Sequence, residues 1–120
     1  MNFCWCTITI QNVEASTKFY TEIVGLAITS RFSPRPGMDI VFLDDQKGSQ
    51  IELIKFADRA APSSREGLTL GFEVESLEDT LAMLSLKGIA VTGGPFVSPA
   101  VKYIFVKDPD GVSIQFVEKI

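Results

Sequence analysis

Two blocks of alternating apolar and polar residues, 63 positions apart, dominate the pattern along the chain. Residues 42–54 and residues 105–117 each run from a phenylalanine through a polar stretch with glycine to a second apolar alternation. An apolar run, a glycine-containing turn and a second alternation are typical of a β-hairpin. The pattern therefore predicts one hairpin in each half of the chain.

A strand and then a helix are predicted ahead of each hairpin. Apolar residues at helical spacing follow Asn12 and Ser76, which are good N-cap residues, and a glycine, Gly25 or Gly88, follows each stretch. These are the usual start and stop signals of helices. The predicted elements are strands over 6–10 and 68–74 and helices over 14–24 and 77–87.

Each half therefore reads strand, helix, strand, strand, strand, an order that predicts an α+β fold. We expect a single domain over residues 1–120, with repeat one at about 3–56, a linker at about 57–66 and repeat two at about 67–119. Because neither half has enough core to stand alone, we expect the two βαβββ repeats to pack against each other. Residues 93–95, two glycines and a proline, are predicted to be irregular.

The net charge and the lengths of the apolar runs argue against two classes of partner. A net charge of −4 argues against nucleic acid as a partner, because such binding depends on Lys and Arg at the phosphates. No stretch approaches the roughly 20 apolar residues of a membrane span, and no basic start or apolar run indicates a signal peptide. We therefore expect a cytoplasmic protein with neither a nucleic-acid nor a membrane partner.

Cys4 and Cys6 are the only cysteines, and the chain contains no histidine. On a strand, two residues separated by one position share a face but lie too far apart for a disulfide. We interpret both cysteines as small, buried apolar side chains.

Several short motifs, taken in order, resemble one known superfamily. They are residues 12–20, 24–26, 50–54, 71–74 and 108–116. At these spacings they resemble the vicinal oxygen chelate superfamily, which includes glyoxalase I, bleomycin-resistance proteins and extradiol dioxygenases. The resemblance covers nearly the whole chain. It implies the glyoxalase/bleomycin resistance/dioxygenase fold, in which two βαβββ repeats form a curved mixed sheet around a cavity. It also implies a small-molecule ligand and a homodimer.

The resemblance also implies where metal ligands would lie. In metal-dependent members, four ligands, mostly His and Glu, come from one point on each of four strands. Those points fall here on Trp5, Glu52, Thr69 and Gln115. Only Glu52 keeps a ligand type that the superfamily uses. Because transition-metal sites need several imidazole, thiolate or carboxylate ligands, we expect no metal and no other cofactor.

Strand alternation predicts which side chains face the cavity. Of Tyr103 and Phe105, one should face the cavity and the other the core. The predicted ligand-binding residues are Trp5, Thr7, Gln50, Glu52, Thr69, Tyr103, Phe105 and Gln115. An aromatic wall with a few polar groups is the usual composition of a small-molecule pocket.

Trp5 and Glu52 each have more than one interpretation. Trp5 either stacks on a planar or cationic ligand or fills space that is no longer needed. Glu52 binds a ligand cation, acts as the candidate catalytic base, or is paired internally with Arg31 or Lys102. The loop 32–37, with its two prolines, lies at the cavity mouth or carries plain solvated charge.

Three functions stay open at this point. The first is a metal-free protein that binds a small, partly aromatic or cationic molecule, with drug sequestration as one use. The second is a glyoxalase-like lyase or isomerase that uses Glu52 as a base or as a residual metal ligand. The third is an interaction module whose cavity is filled by its own aromatic side chains. The missing histidines and the acidic chain favour the first, which is not an enzyme.

Overall fold

Each half of the chain forms a four-stranded sheet and contributes one helix. The computed structural model describes residues 1–120, which divide into two units, Met1–Ser63 and Ser64–Ile120. The first unit contains β1 (Cys6–Thr9), α1 (Val13–Lys18), a π-helical turn (Phe19–Ile23), β2 (Ala27–Phe32), β3 (Met38–Asp44) and β4 (Gln50–Phe56). The second contains β5 (Thr69–Glu73), α2 (Leu77–Leu86), β6 (Gly93–Val97), β7 (Val101–Lys107) and β8 (Ser113–Lys119).

Both sheets have the same strand order. It is β1-β4-β3-β2 in the first unit and β5-β8-β7-β6 in the second. The β1–β4 and β5–β8 pairs are parallel, and all other neighbours are antiparallel. A parallel pair needs a long crossover connection, and each helix lies within one. The predicted α+β fold with two βαβββ repeats is confirmed.

Both helices begin at the predicted caps. The Asn12 side-chain oxygen accepts the Ala15 N–H at 2.9 Å, and Ser76 Oγ accepts the Asp79 N–H at 3.1 Å. Each bond satisfies an N–H that has no partner within its helix. The glycine that follows each helical segment has a positive φ, as expected for a C-terminal stop. Neither helix is long and apolar enough to cross a membrane.

The apolar spacing predicts that the first helical segment is α-helical throughout, but only its first part is. After Lys18 it continues as the π-helical turn, in which the Val24 N–H donates to the Phe19 carbonyl at 3.2 Å. Phe19 and Tyr20 are both buried there, with their rings edge-on at 5.2 Å. A five-residue turn differs from an α-turn by one position, and apolar spacing over so short a stretch does not distinguish the two.

Equivalent aspartates accept backbone hydrogen bonds in the turns of the two β-hairpins. Asp45 Oδ1 accepts the N–H groups of Lys47 and Ser49 at 2.8 and 3.0 Å. Asp108 Oδ1 accepts the N–H groups two and four positions later, at 2.9 and 2.8 Å. The Lys47 N–H, and after it the Ser49 N–H, hold the pKa of Asp45 below its ordinary value. The repeat therefore extends from the apolar pattern to individual hydrogen bonds.

Burial alternates along the strands as the pattern predicts. Ile51 and Leu53 on β4 are buried, whereas Gln50 and Glu52 are only half-buried, and β8 shows the same alternation. The buried rows belong to the face on which α1 and α2 contact β4 and β8. The opposite face of each sheet, which carries Glu52 in the first unit and Gln115 in the second, is called the open face below.

The irregular stretch predicted at residues 93–95 is present, but it lies within strand β6 rather than outside a strand. Gly93 pairs with Phe105, and the register then shifts before Phe96. A strand accommodates a proline at an edge and at a register shift, because neither needs its missing N–H.

The prediction that both cysteines are buried is wrong, because the first strand begins only at Cys6. Cys4 precedes the strand and is exposed, while Cys6 is partly buried. Burial raises the pKa of the Cys6 thiol above its ordinary value.

Candidate functional site

A carboxylate lies in the middle of the open face of the first sheet. Glu52 on β4 is opposite Thr7 on β1 and opposite Phe42 on β3. The Thr7 hydroxyl donates a hydrogen bond of 2.6 Å to Glu52 Oε1. Oε2 of Glu52 accepts no hydrogen bond within the chain, so one oxygen is held while the other is available.

Aromatic side chains surround this carboxylate. The ring of Trp5 meets that of Phe42 edge-on, with 5.1 Å between centroids and 84° between planes. Phe32 is stacked beside Phe42 at 6.3 Å and 11°. Trp5 and Phe32 keep 44% and 46% of their surface exposed, so the cluster is not closed over. An open aromatic surface next to a fixed carboxylate suits a flat or cationic ligand.

The predicted internal partners of Glu52 are wrong. Arg31 binds Asp39 at 3.2 Å and Glu14 at 3.5 Å, and Lys102 binds Glu118 at 3.0 Å. The hydrogen bond to Asp39 and its charge raise the pKa of Arg31 above its ordinary value.

Strand register explains why Arg31 does not reach Glu52. Arg31 is opposite the buried Val41, and its side chain therefore lies on the helix-bearing face rather than on the open face. An arginine on that face cannot contact Glu52 without crossing the sheet.

Gln115 occupies the equivalent position in the second unit. It lies opposite Gly71 on β5 and Phe105 on β7, and Phe105 in turn lies opposite Gly93 on β6. A Cβ on Gly71 would come within 3.4 Å of Gln115 Oε1, and a Cβ on Gly93 within 3.2 Å of Phe105 Cδ2. The two glycines therefore leave room for the side chains of this row.

The second open face also carries an aromatic cluster. Tyr103 and Phe105 are edge-on at 5.7 Å, and Phe96 lies 5.5 Å from Tyr103 and 6.4 Å from Phe105. The prediction that only one of Tyr103 and Phe105 faces this side is wrong. Residues separated by one position share a strand face, and it is Ile104 and Val106 that are buried on the other side.

The structure divides the predicted site residues between the two units. Trp5, Thr7, Gln50 and Glu52 belong to the first unit. Thr69, Tyr103, Phe105 and Gln115 belong to the second, where Thr69 lies opposite Ser113 and is exposed.

Sequence reasoning missed three aromatic members of the open faces, namely Phe32, Phe42 and Phe96. The repeat could have identified Phe42, because it lies 63 positions before Phe105, one of the predicted ligand-binding residues. Phe32 and Phe96 lie on edge strands that the pattern did not resolve, and no comparable signal marks them.

The side chains at the four positions that the resemblance assigns to metal ligands do not fit a transition metal. Of Trp5, Glu52, Thr69 and Gln115, only Glu52 is a carboxylate, and one of its oxygens is engaged by Thr7. No group of three or more His, Cys, Asp or Glu side chains lies close enough together to hold a metal ion. Tryptophan offers no ligand atom, and single neutral oxygens are weak ligands for such ions.

A separate groove of about 660 Å³ lies at the β2–β3 turn of the first unit. Its walls come from the ends of β2 and β3, the turn between them, and the end of β4. They are formed by Arg31, Phe32, Ser33, Gly37, Met38, Asp39, Lys55 and Ala57. Glu52, Trp5 and Phe42 are not among them, whereas Phe32 borders both this groove and the aromatic surface around Glu52.

The sequence profile of one family matches residues 3–116, nearly the whole chain. The chain belongs to the glyoxalase/bleomycin resistance protein/dioxygenase superfamily. No curated protein matches the chain in sequence.

Three solved structures resemble the chain over 98–100% of its length. An antibiotic-binding protein from a Streptomyces species has a TM-score of 0.79 and 21% identity, with 100% of this chain and 97% of that one covered. The trypanothione-dependent glyoxalase I of Leishmania major has a TM-score of 0.83 and 21% identity, with 98% and 86% covered. A glyoxalase family protein from Bacillus cereus has a TM-score of 0.85 and 16% identity, with 100% and 95% covered. At these identities the likeness shows the superfamily fold alone.

Proposed function

We propose that this member of the superfamily binds a small, partly aromatic or cationic molecule on the open face of its first sheet, without a metal ion and without catalysis. The observation that carries the proposal is the Thr7–Glu52 hydrogen bond beside exposed aromatic rings. A cation at Oε2 of Glu52 would pair with the carboxylate and lie against aromatic rings at the same time. Both interactions are attractive for an organic cation with a flat apolar part.

Sequestration of a toxic compound, such as a drug, follows as the biological use. A binding protein needs no activated group, and none of the superfamily's four ligand positions here supplies an imidazole. The Streptomyces structure with the same fold is described as antibiotic-binding, which supports this use by analogy only. The exposure of Trp5 favours a surface open to a ligand over one filled by its own side chains.

A melting-temperature screen against aromatic cations and their neutral analogues tests the proposal. We expect cations to raise the melting temperature, and calorimetry with the best compound to show saturable binding. The variants Glu52→Gln and Trp5→Ala should each weaken that binding by about tenfold. The matched control, Glu66→Gln, removes an exposed carboxylate elsewhere and should bind as the wild type does. Equal binding by wild type and Glu52→Gln would contradict the proposed site.

A glyoxalase-like lyase or isomerase activity is the second candidate. The observation in its favour is a carboxylate held in one orientation by Thr7, which could act as a general base or as a residual metal ligand. Elemental analysis of purified protein and turnover of glyoxalase-type substrates test it together. A stoichiometric metal, or turnover that disappears in Glu52→Gln, would favour this activity over simple binding.

We further propose that the chain works in the cytoplasm as a homodimer, with the two repeats forming one domain. Each four-stranded sheet ends in edge strands, β1 and β2 in the first unit, and unpaired edges favour association. Light scattering coupled to gel filtration tests the dimer. A mass of one chain, 13.2 kDa, at micromolar concentration would contradict it.

A further inference from the structure

One cross-strand position holds an acidic and a basic residue in both units, but the two residues exchange strands between the units. Asp39 on β3 lies opposite Lys55 on β4 in the first unit. The equivalent positions in the second unit, each 63 residues later, hold Lys102 on β7 opposite Glu118 on β8. The same place in the fold therefore carries two arrangements of charge that can be compared directly.

In the second unit the two side chains of this cross-strand pair bind each other. Lys102 Nζ lies 3.0 Å from Glu118 Oε2, and Glu118 Oε1 accepts the N–H of Leu77, the first residue of α2, at 2.7 Å. Both oxygens of Glu118 are thus engaged, one by the cross-strand lysine and one by the helix.

In the first unit the corresponding residues, Asp39 and Lys55, form no ion pair with each other. Asp39 instead binds Arg31 on β2 at 3.2 Å. The position in β6 equivalent to Arg31 is Gly94, which has no side chain to compete for a partner. Lys55 is left without any ion pair in the chain, although it is only half exposed and lies opposite a carboxylate.

The groove of about 660 Å³ opens where the first unit lacks this ion pair. Three charged side chains line it, namely Arg31, Asp39 and Lys55. Arg31 is already paired with Asp39 and with Glu14, so Lys55 is the cation that has no partner. Met38 and Phe32 add apolar surface to its wall. A volume of this size accommodates a small organic molecule, and unpaired cationic charge beside apolar surface selects one with a negative end.

We propose that this groove is a second binding site, for a small aromatic carboxylate. The carboxylate of the ligand pairs with the Lys55 ammonium group, as Glu118 pairs with Lys102 in the second unit, and its ring lies against Met38. This site does not include Glu52, which repels anions, although Phe32 borders both surfaces. The two sites take ligands of opposite charge. Because Lys55 belongs only to the groove and Glu52 only to the aromatic surface, variants of these two residues test each site separately.

Methionine methyl signals provide a direct readout. The chain has three methionines, of which Met38 lines the groove, Met83 lies in α2 of the second unit and Met1 is terminal. In protein labelled with carbon-13 at the methionine methyl groups, benzoate should shift the Met38 signal saturably, with a dissociation constant in the range of about 1–10 mM. The Met83 signal should stay in place.

Variants of Lys55 decide the charge requirement. Lys55→Gln should weaken benzoate binding by about tenfold, Lys55→Arg should retain it, and Lys47→Gln in the exposed hairpin loop should bind as the wild type does. The proposal is overturned if Met38 shows no saturable shift, or if Lys55→Gln binds benzoate as tightly as the wild type. An equal response to benzyl alcohol, which has a similar size and no charge, would also overturn it.

Discussion

Thr7 and Glu52, 45 residues apart in sequence, are joined by a hydrogen bond of 2.6 Å across the parallel β1–β4 pair. The bond holds one carboxylate oxygen and leaves the other without a hydrogen bond from the chain. The orientation of the candidate binding group thus depends on a neutral neighbour rather than on an arginine or lysine. The charge of Glu52 stays uncompensated and available to a ligand.

Removing the Thr7 hydroxyl should free the Glu52 side chain to change orientation while its charge stays. We expect Thr7→Val to lower the free energy of unfolding by about 1 kcal/mol, the contribution of one hydrogen bond. It should also weaken binding of an organic cation, but by less than Glu52→Gln does. A double-mutant cycle with both substitutions, measured by urea unfolding, checks the coupling. Fully additive effects would show that the hydrogen bond contributes nothing to stability.

The equivalent hairpin aspartates should differ in their contribution to stability. Asp108 is 5% exposed and accepts two N–H groups, of which that of Val112 is buried. Replacing it with alanine leaves those groups unsatisfied in the protein interior, at a cost of about 2–3 kcal/mol. In Asp45→Ala, water can reach the freed N–H groups, so we expect less than half that loss. Urea unfolding of the two variants compares them, and equal losses would contradict this role of burial.

The fold was largely predictable because its signals are repeated. The hairpins, the caps at Asn12 and Ser76 and the stops at Gly25 and Gly88 each occur twice at nearly constant spacing, and all are observed. Such repetition identifies equivalent positions even where a single strand is too short to be recognised by its own pattern. The edge strands β2 and β6 have exposed or irregular residues, and their pattern alone does not define them.

The candidate site was less predictable, because side-chain partners depend on strand register. Alternation places Glu52 on the open face, but it does not show that Arg31 lies on the other face of a neighbouring strand. The short Thr7–Glu52 bond likewise depends on which residues of β1 and β4 are opposite each other. That register comes from a parallel pairing between strands far apart in sequence, which no local pattern specifies.

Two glycines of the second sheet should respond differently to alanine. Gly94 has a φ of 89°, and a Cβ there would lie 2.9 Å from the Tyr103 carbonyl oxygen, so Gly94→Ala should destabilise the protein by about 2 kcal/mol or more. At Gly71 the added Cβ would meet only the movable Gln115 side chain at 3.4 Å, and we expect a change of less than about 1 kcal/mol. Thermal and urea unfolding of both variants measure this difference. A Gly71→Ala protein less stable than Gly94→Ala would contradict it.

Glu118 should make the stability of the protein depend on pH. Its hydrogen bond from the Leu77 N–H, and after that its contact with Lys102, lower the pKa of its carboxyl group below the ordinary value. A carboxyl group with a lowered pKa in the folded state stabilises the protein above the ordinary glutamate pKa of about 4.3. That contribution is lost as the pH falls through the lowered, folded-state pKa.

Urea unfolding of wild type and Glu118→Gln at about pH 6 and about pH 3 tests this dependence. Glutamine keeps an oxygen that accepts the Leu77 N–H but loses the charge that binds Lys102, so it removes the titrating group with little change of shape. We expect the wild type to be the more stable protein at the higher pH and its advantage to shrink at the lower pH. The exposed control Glu66→Gln should follow the wild type at both values. An advantage of equal size at both pH values would mean that Glu118 acts only through packing and not through its charge.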